Sequence, residues 1–258
     1  LRDFKKQASL RLLYPFLRIA LVIIFLALGF KLYGVLIGFF LSAFFCLLLA
    51  FFLFRRKKLE STIHLPKINT SKILAFAAPL IIASLAFTLT RSINVLFIKG
   101  ILHDNIQVGL YTAASTLANI SYVVFSALPI TLLPSITKSI SDKNISLTRK
   151  YISQSIRYLI LFLFPITAIV SATSDELLAL FYSSSFQVAG PVLSVLIISF
   201  TFFAIFSSLR IIVIGSGKPK IEMAISILSF IILCILNLIL IPAKGIYGAA
   251  IASLICSI

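Results

Sequence analysis

Arg91 is the residue whose chemistry demands an explanation, because it stands inside the apolar stretch FTLTRSINVLF at residues 87–97. A charge near the centre of a hydrocarbon slab costs at least ~2.5–3.5 kcal/mol on insertion scales. Projected at the 3.6-residue helical period, Ser84, Thr88, Arg91 and Ser92 share one arc, with Asn94 on its flank. A second polar stripe, made of Tyr111, Ser115, Asn119, Tyr122 and Ser126, recurs at spacings of three and four residues. Guanidinium groups hold phosphate through permanently charged, bidentate contacts, and hydroxyls and amides hold sugars by adaptable hydrogen bonds. The two stripes suit either hydrogen bonding between helices, worth ~0.6 kcal/mol per contact, or the lining of a wet cavity. Arg91 lies roughly 12 Å from the outer end of its helix, where reaching the headgroups is difficult, so it is expected to face a cavity. Arg18 sits about a third of the way into the first apolar run, close enough to the surface for its charge to snorkel. The candidate path residues are Arg91, Arg18, Thr88, Asn94, Asn119 and Tyr122. None of them implies catalysis.

The elements that must position these groups are membrane helices. Hydrophobic residues make up 60% of the 258 and charged residues only 12%, with a mean hydropathy of +1.15, far from the ~25% charged fraction of soluble domains. Apolar runs recur at lengths that cross ~30 Å of hydrocarbon. Eight spans are expected, at about 12–30, 33–54, 73–98, 108–134, 158–174, 190–213, 221–241 and 245–258. The runs are continuous rather than alternating, which favours helices over a barrel. The fold class is all-α, a polytopic transmembrane bundle.

The net charge of +16 is distributed by topology and does not suggest nucleic acid. Seventeen of the 23 lysines and arginines fall in segments 1–11, 55–72, 135–157 and 214–220, whereas the alternate loops hold only Lys31, Lys99 and Lys244. By the positive-inside rule the basic side is cytoplasmic, and its charges, RRKK at 55–58 above all, are expected to attract anionic headgroups. Segment 138–156, with Ile140, Ile145, Tyr151, Ile152 and Ile156 among charges, reads as a short interfacial helix. Cys46, Cys234 and Cys256 lie in apolar runs without close spacing, and His64 and His103 stand alone in loops. No metal site and no cofactor is expected. None of the seven acidic residues falls in the middle of a span, which weighs against a cation antiporter. Gly34 and Gly38 form a GxxxG seam in the second span, and Pro15, Pro79, Pro129, Pro134 and Pro165 mark sites of helix bending.

Five stretches in order carry a resemblance. They are ILAFAAPLIIASLAFTLTRSINVLFI, VGLYTAASTLANI, ALPITLLPSITKSI, DELLALFYSSSFQVAGPVLSVL and NLILIPAKGIYGAAIAS. Together they resemble helices seven to twelve of the polysaccharide-biosynthesis, or O-antigen flippase, branch of the multidrug/oligosaccharidyl-lipid/polysaccharide exporter superfamily. The resemblance implies a two-lobed exporter. Residues 1–54 would be the last two helices of an N-terminal lobe that is mostly missing, 55–72 a basic inter-lobe linker, and 73–258 a C-terminal six-helix lobe whose last helix is cut short. It also implies a polyprenyl-diphosphate-linked oligosaccharide as substrate, flipped across the cell membrane by alternating access. Many relatives carry an acidic residue in the outer half of the seventh helix, where this chain has Asn94, so carboxylate-based coupling does not carry over to that position. A multidrug antiporter of the same superfamily is the nearest alternative. A polytopic glycan-assembly enzyme is a more distant one, since the outer loops offer only Asp104, Asp175 and Glu176 as acids.

Overall fold

A computed structural model describes residues 4–55, 70–125, 138–140, 142 and 144–258. Among the described residues the regular structure is wholly helical, and the bundle is all-α and polytopic. The linker 56–69, Pro129, Pro134 and the end of the span expected at 108–134 lie outside the described residues. The chain divides into two compact units, residues 1–68 and 69–258, each described by itself.

In the first unit α1 (Phe4–Ala27) and α2 (Lys31–Arg55) are joined by a tight turn through Gly29. They meet along the GxxxG seam. A Cβ on Gly38 would come within 2.8 Å of the Val22 side chain, and one on Gly34 within 3.1 Å of the Phe25 backbone. The absence of side chains there lets the two backbones approach, which is how small residues pack helices in lipid.

The second unit opens with α3 (Thr70–Leu102) and α4 (Asn105–Phe125). The turn between them is set by His103 at φ 53° and by Asp104, whose carboxylate accepts from the Ile106 amide at 2.8 Å and caps α4. A turn of this length folds the two helices antiparallel and brings their polar stripes face to face. Next come α5 (Ile145–Ala172), the short α6 (Ser174–Phe181), a 3₁₀ turn at Ser184–Ala189, α7 (Gly190–Gly215) and α8 (Pro219–Ser257). The core is built from small residues of α4 (Ala113, Ala114, Ala118) against Leu193, Leu196 and Ile197 of α7. Close helix approach follows from that choice of residues.

One of the expected boundaries changes. The interfacial helix read at 138–156 is not separate from residue 145 onward. Asn144 caps the helix by accepting from the Leu147 amide at 3.1 Å, and α5 then runs unbroken to Ala172. Among the described residues six helices are long and apolar enough to span a membrane, with α8 counted once. The first expected span corresponds to α1, and the last two are two helices that follow one another in α8 across a kink. That kink lies at Gly245, whose φ 58° and ψ −140° are open only to a residue without a Cβ. The break folds the chain so closely that a Cβ on Gly248 would lie 2.1 Å from the Leu240 carbonyl oxygen.

Candidate substrate-path site

Three of the six path residues, Thr88, Arg91 and Asn119, line one cavity between α3, α4 and α7, and a fourth, Tyr122, stacks on Arg91. Thr88, Arg91 and Ser92 of α3 and Ser115, Thr116 and Asn119 of α4 line a space of about 260 Å³, with Phe200 of α7 as its apolar wall. Arg91 is half-buried. One of its terminal nitrogens donates to the Asn119 side-chain oxygen, and its guanidinium carbon lies 4.1 Å from the centre of the Tyr122 ring and 5.8 Å from that of Phe200. Its Nε is buried and has no hydrogen-bond partner. The charge is therefore held by a neutral amide and two π-faces, each cation–π contact being worth ~0.5–2 kcal/mol. No carboxylate lines the cavity among the described residues.

The hydroxyls around Arg91 have a definite polarity. Thr88 donates to the Ser84 carbonyl at 2.8 Å, and Ser115 and Thr116 donate to the Thr112 carbonyl at 3.0 and 2.7 Å. Each spends its only proton on its own helix, so what it turns toward the cavity is lone pairs. Guanidinium donors beside hydroxyl acceptors suit a ligand with an anionic group and hydroxyl donors of its own.

Asn94 has a different setting. It is 4% exposed and closes a neutral knot. Its amide donates to Tyr111 at 2.8 Å and to Ser253 at 2.7 Å, and accepts from the Asn237 amide at 2.7 Å. Asn237 precedes the break in α8 and Ser253 follows it, so one residue of α3 fastens both arms of that helix. The side-chain oxygen of Asn237 has no partner. A small cavity of about 30 Å³, lined in part by Arg91, Asn94, Tyr111 and Ser253, lies between this knot and the Arg91 site and is bordered by both.

Arg18 belongs to the first unit. It is half-buried, with its guanidinium carbon 4.8 Å from the Phe39 ring centre of α2 and 5.9 Å from that of Tyr14.

The sequence reading missed a third centre. Arg210, near the end of α7, forms an ion pair with Glu222 in the first turn of α8, and the two are 14% and 2% exposed. Ser226 donates to the same carboxylate oxygen at 2.9 Å, while the other oxygen is buried without a partner. The Arg210 guanidinium also stacks 4.0 Å over Phe87. From there a run of rings leads through Phe203, 5.0 Å from Phe87, to Tyr122, 6.3 Å further on, and so to Arg91. Two opposite charges on either side of the short turn SGKPK were the available signal. Glu222 stands at a helix end rather than mid-span, where an acidic residue draws no attention by itself.

The family model described as "Polysaccharide biosynthesis protein" matches residues 1–139, and the model described as MatE matches residues 79–239. The chain belongs to the polysaccharide and MatE exporter superfamily. It is 29% identical over 190 residues to an uncharacterized membrane protein of Methanocaldococcus jannaschii, covering 72% of this chain and 43% of that one. Two solved structures share the fold at 18% identity. A crystal structure of MATE in complex with MaL6 aligns with TM-score 0.74 over 96% of this chain and 59% of that one. An outward-facing multidrug resistance MATE family transporter aligns with TM-score 0.60 over 72% and 42%. The chain thus spans about half the length of the relatives it matches. It is an integral membrane protein of transporter families.

Proposed function

We propose that this chain forms part of a transporter that flips a polyprenyl-diphosphate-linked oligosaccharide across the cell membrane by alternating access, for surface-polysaccharide or glycan assembly. The observation that carries the reading is the Arg91 cavity. A diphosphate crossing a low-dielectric slab needs a fixed cation, and Arg91 offers one that no carboxylate neutralises among the described residues. Sugar hydroxyls are donors, and the lone pairs of Thr88, Ser115 and Thr116 are their complement. Translocation makes and breaks no covalent bond, so the protein is read as a carrier and not an enzyme. The basic segments are placed on the cytoplasmic side, where they attract anionic headgroups.

In a deletion strain, a labelled lipid-linked oligosaccharide should accumulate on the cytoplasmic face. The wild-type gene should clear it, and an Arg91→Ala allele with normal membrane insertion should clear it about 10–100-fold more slowly. Clearance by that allele at the wild-type rate would defeat the proposal. The rival reading is export of cationic drugs, supported by the shared fold with a multidrug transporter. It predicts efflux of cationic dyes that survives Arg91→Ala.

A further inference from the structure

The outer surface of α5 carries a feature that the transport path does not use. A groove of about 640 Å³ is lined by Arg149, Ser153 and Arg157 together with Ile152, Ile156, Ile160 and Leu161. An adjoining face of the helix is committed to the bundle through buried Ser155, Leu159 and Leu163. The groove therefore lies on a face of the helix that the described residues leave largely uncovered.

Its chemistry is graded along the axis. Arg149, Ser153 and Arg157 follow one another at intervals of four residues, which stacks them on one face over about 12 Å. Both arginines are exposed, and neither has a hydrogen-bond or carboxylate partner among the described residues. No acidic residue occurs anywhere in α5, and the nearest in sequence is Asp142, before the helix begins. Immediately past Arg157 the helix turns apolar for the remainder of its length, YLILFLFPITAIVSA, about 22 Å at the helical rise. Arg157 thus stands at the boundary where hydrocarbon begins. Arg149 lies on the water side of it, and Ile160 and Leu161 on the lipid side. Two long cationic arms can close on a group at the level of the Ser153 hydroxyl, and the isoleucines continue downward from that point.

We propose that this groove is a binding site for an anionic phospholipid of the adjacent leaflet. Its headgroup phosphate sits between Arg149 and Arg157, and its acyl chains lie on Ile156, Ile160 and Leu161. Charge complementarity selects the occupant: a zwitterionic lipid brings its own ammonium to the arginines, and a soluble anion leaves the isoleucines uncovered. The site is separate from the Arg91 cavity and does not depend on what is transported.

The test is a titration of the whole detergent-purified protein with phosphatidylglycerol and, separately, phosphatidylcholine, read as bound lipid by native mass spectrometry. Each arginine should contribute about fivefold to the preference for the anionic lipid. Arg149→Gln with Arg157→Gln should therefore reduce the preference about 25-fold, while Lys218→Gln with Lys220→Gln should leave it in place. Excess inorganic phosphate should not displace the lipid. Because both arginines are exposed, the double variant is expected to remain monodisperse, which gel filtration checks. The proposal is overturned if the double variant keeps the preference, if the lysine pair removes it equally, or if phosphate alone releases the lipid.

Discussion

Arg91 and Arg210 are the same side chain, set at opposite ends of one run of aromatic rings, and they have been treated in opposite ways. Arg210 is matched by Glu222, stacked on Phe87 and nearly sealed from solvent. Arg91 is also stacked, on Tyr122, but its polar partner is the neutral Asn119, its Nε is unsatisfied, and it borders an open cavity. Taking an ion out of water costs several kcal/mol, which a buried counter-ion repays only with good geometry. Arg210 is compensated inside the fold and ties α7 to α8. Arg91 is compensated only in part, and the remaining charge is what an anionic ligand can use.

The contrast can be broken first at Glu222. Glu222→Ala leaves Arg210 buried without its counter-ion and should destabilise the protein by about 3–5 kcal/mol, seen as a lowered thermal midpoint in detergent. Replacing both, Arg210→Met with Glu222→Met, should restore most of that loss. The equivalent change at the other end, Arg91→Ala, should leave the midpoint nearly unchanged and slow flipping in reconstituted vesicles by about 10–100-fold, the worth of a charge-assisted hydrogen bond. Asn119→Asp sharpens the point further. It gives Arg91 the kind of partner Arg210 already has, and a guanidinium so occupied should transport about tenfold more slowly, roughly 1.4 kcal/mol, with no loss of expression. The smallest effect is expected in the neutral knot. Ser253→Ala removes one of the hydrogen bonds to Asn94 and should cost about 0.5–1.5 kcal/mol of stability, without altering the transport rate of the folded protein.

The parts of this account that were legible in the sequence are those governed by one helix at a time. The helical class, the polar stripe of Ser84, Thr88, Arg91 and Ser92, and the GxxxG seam at Gly34 and Gly38 all follow from periodicity within a single segment. What could not be read depended on two segments meeting. Asn94 looked like a flanking member of the Arg91 stripe, and only the fold shows it turned to Tyr111, Asn237 and Ser253, the last 159 positions away. The pair Arg210–Glu222 needs the orientation of two helices about the Gly217 turn, which no one-dimensional pattern supplies. The break at Gly245 was anticipated as a gap between two spans. That the chain stays helical on both sides, pinned through Asn94, is a property of packing.

The central claim is that Arg91 is held available for a phosphate while Arg210 is not. It is tested most directly by measuring the affinity of the purified protein for a polyprenyl-diphosphate oligosaccharide against the same oligosaccharide on an uncharged polyprenyl carrier. The wild-type protein should prefer the diphosphate by about 10–100-fold. Arg91→Ala should erase that preference, and the Arg210→Met, Glu222→Met pair should preserve it. An Arg91→Ala protein that still discriminates between the two ligands would contradict the account.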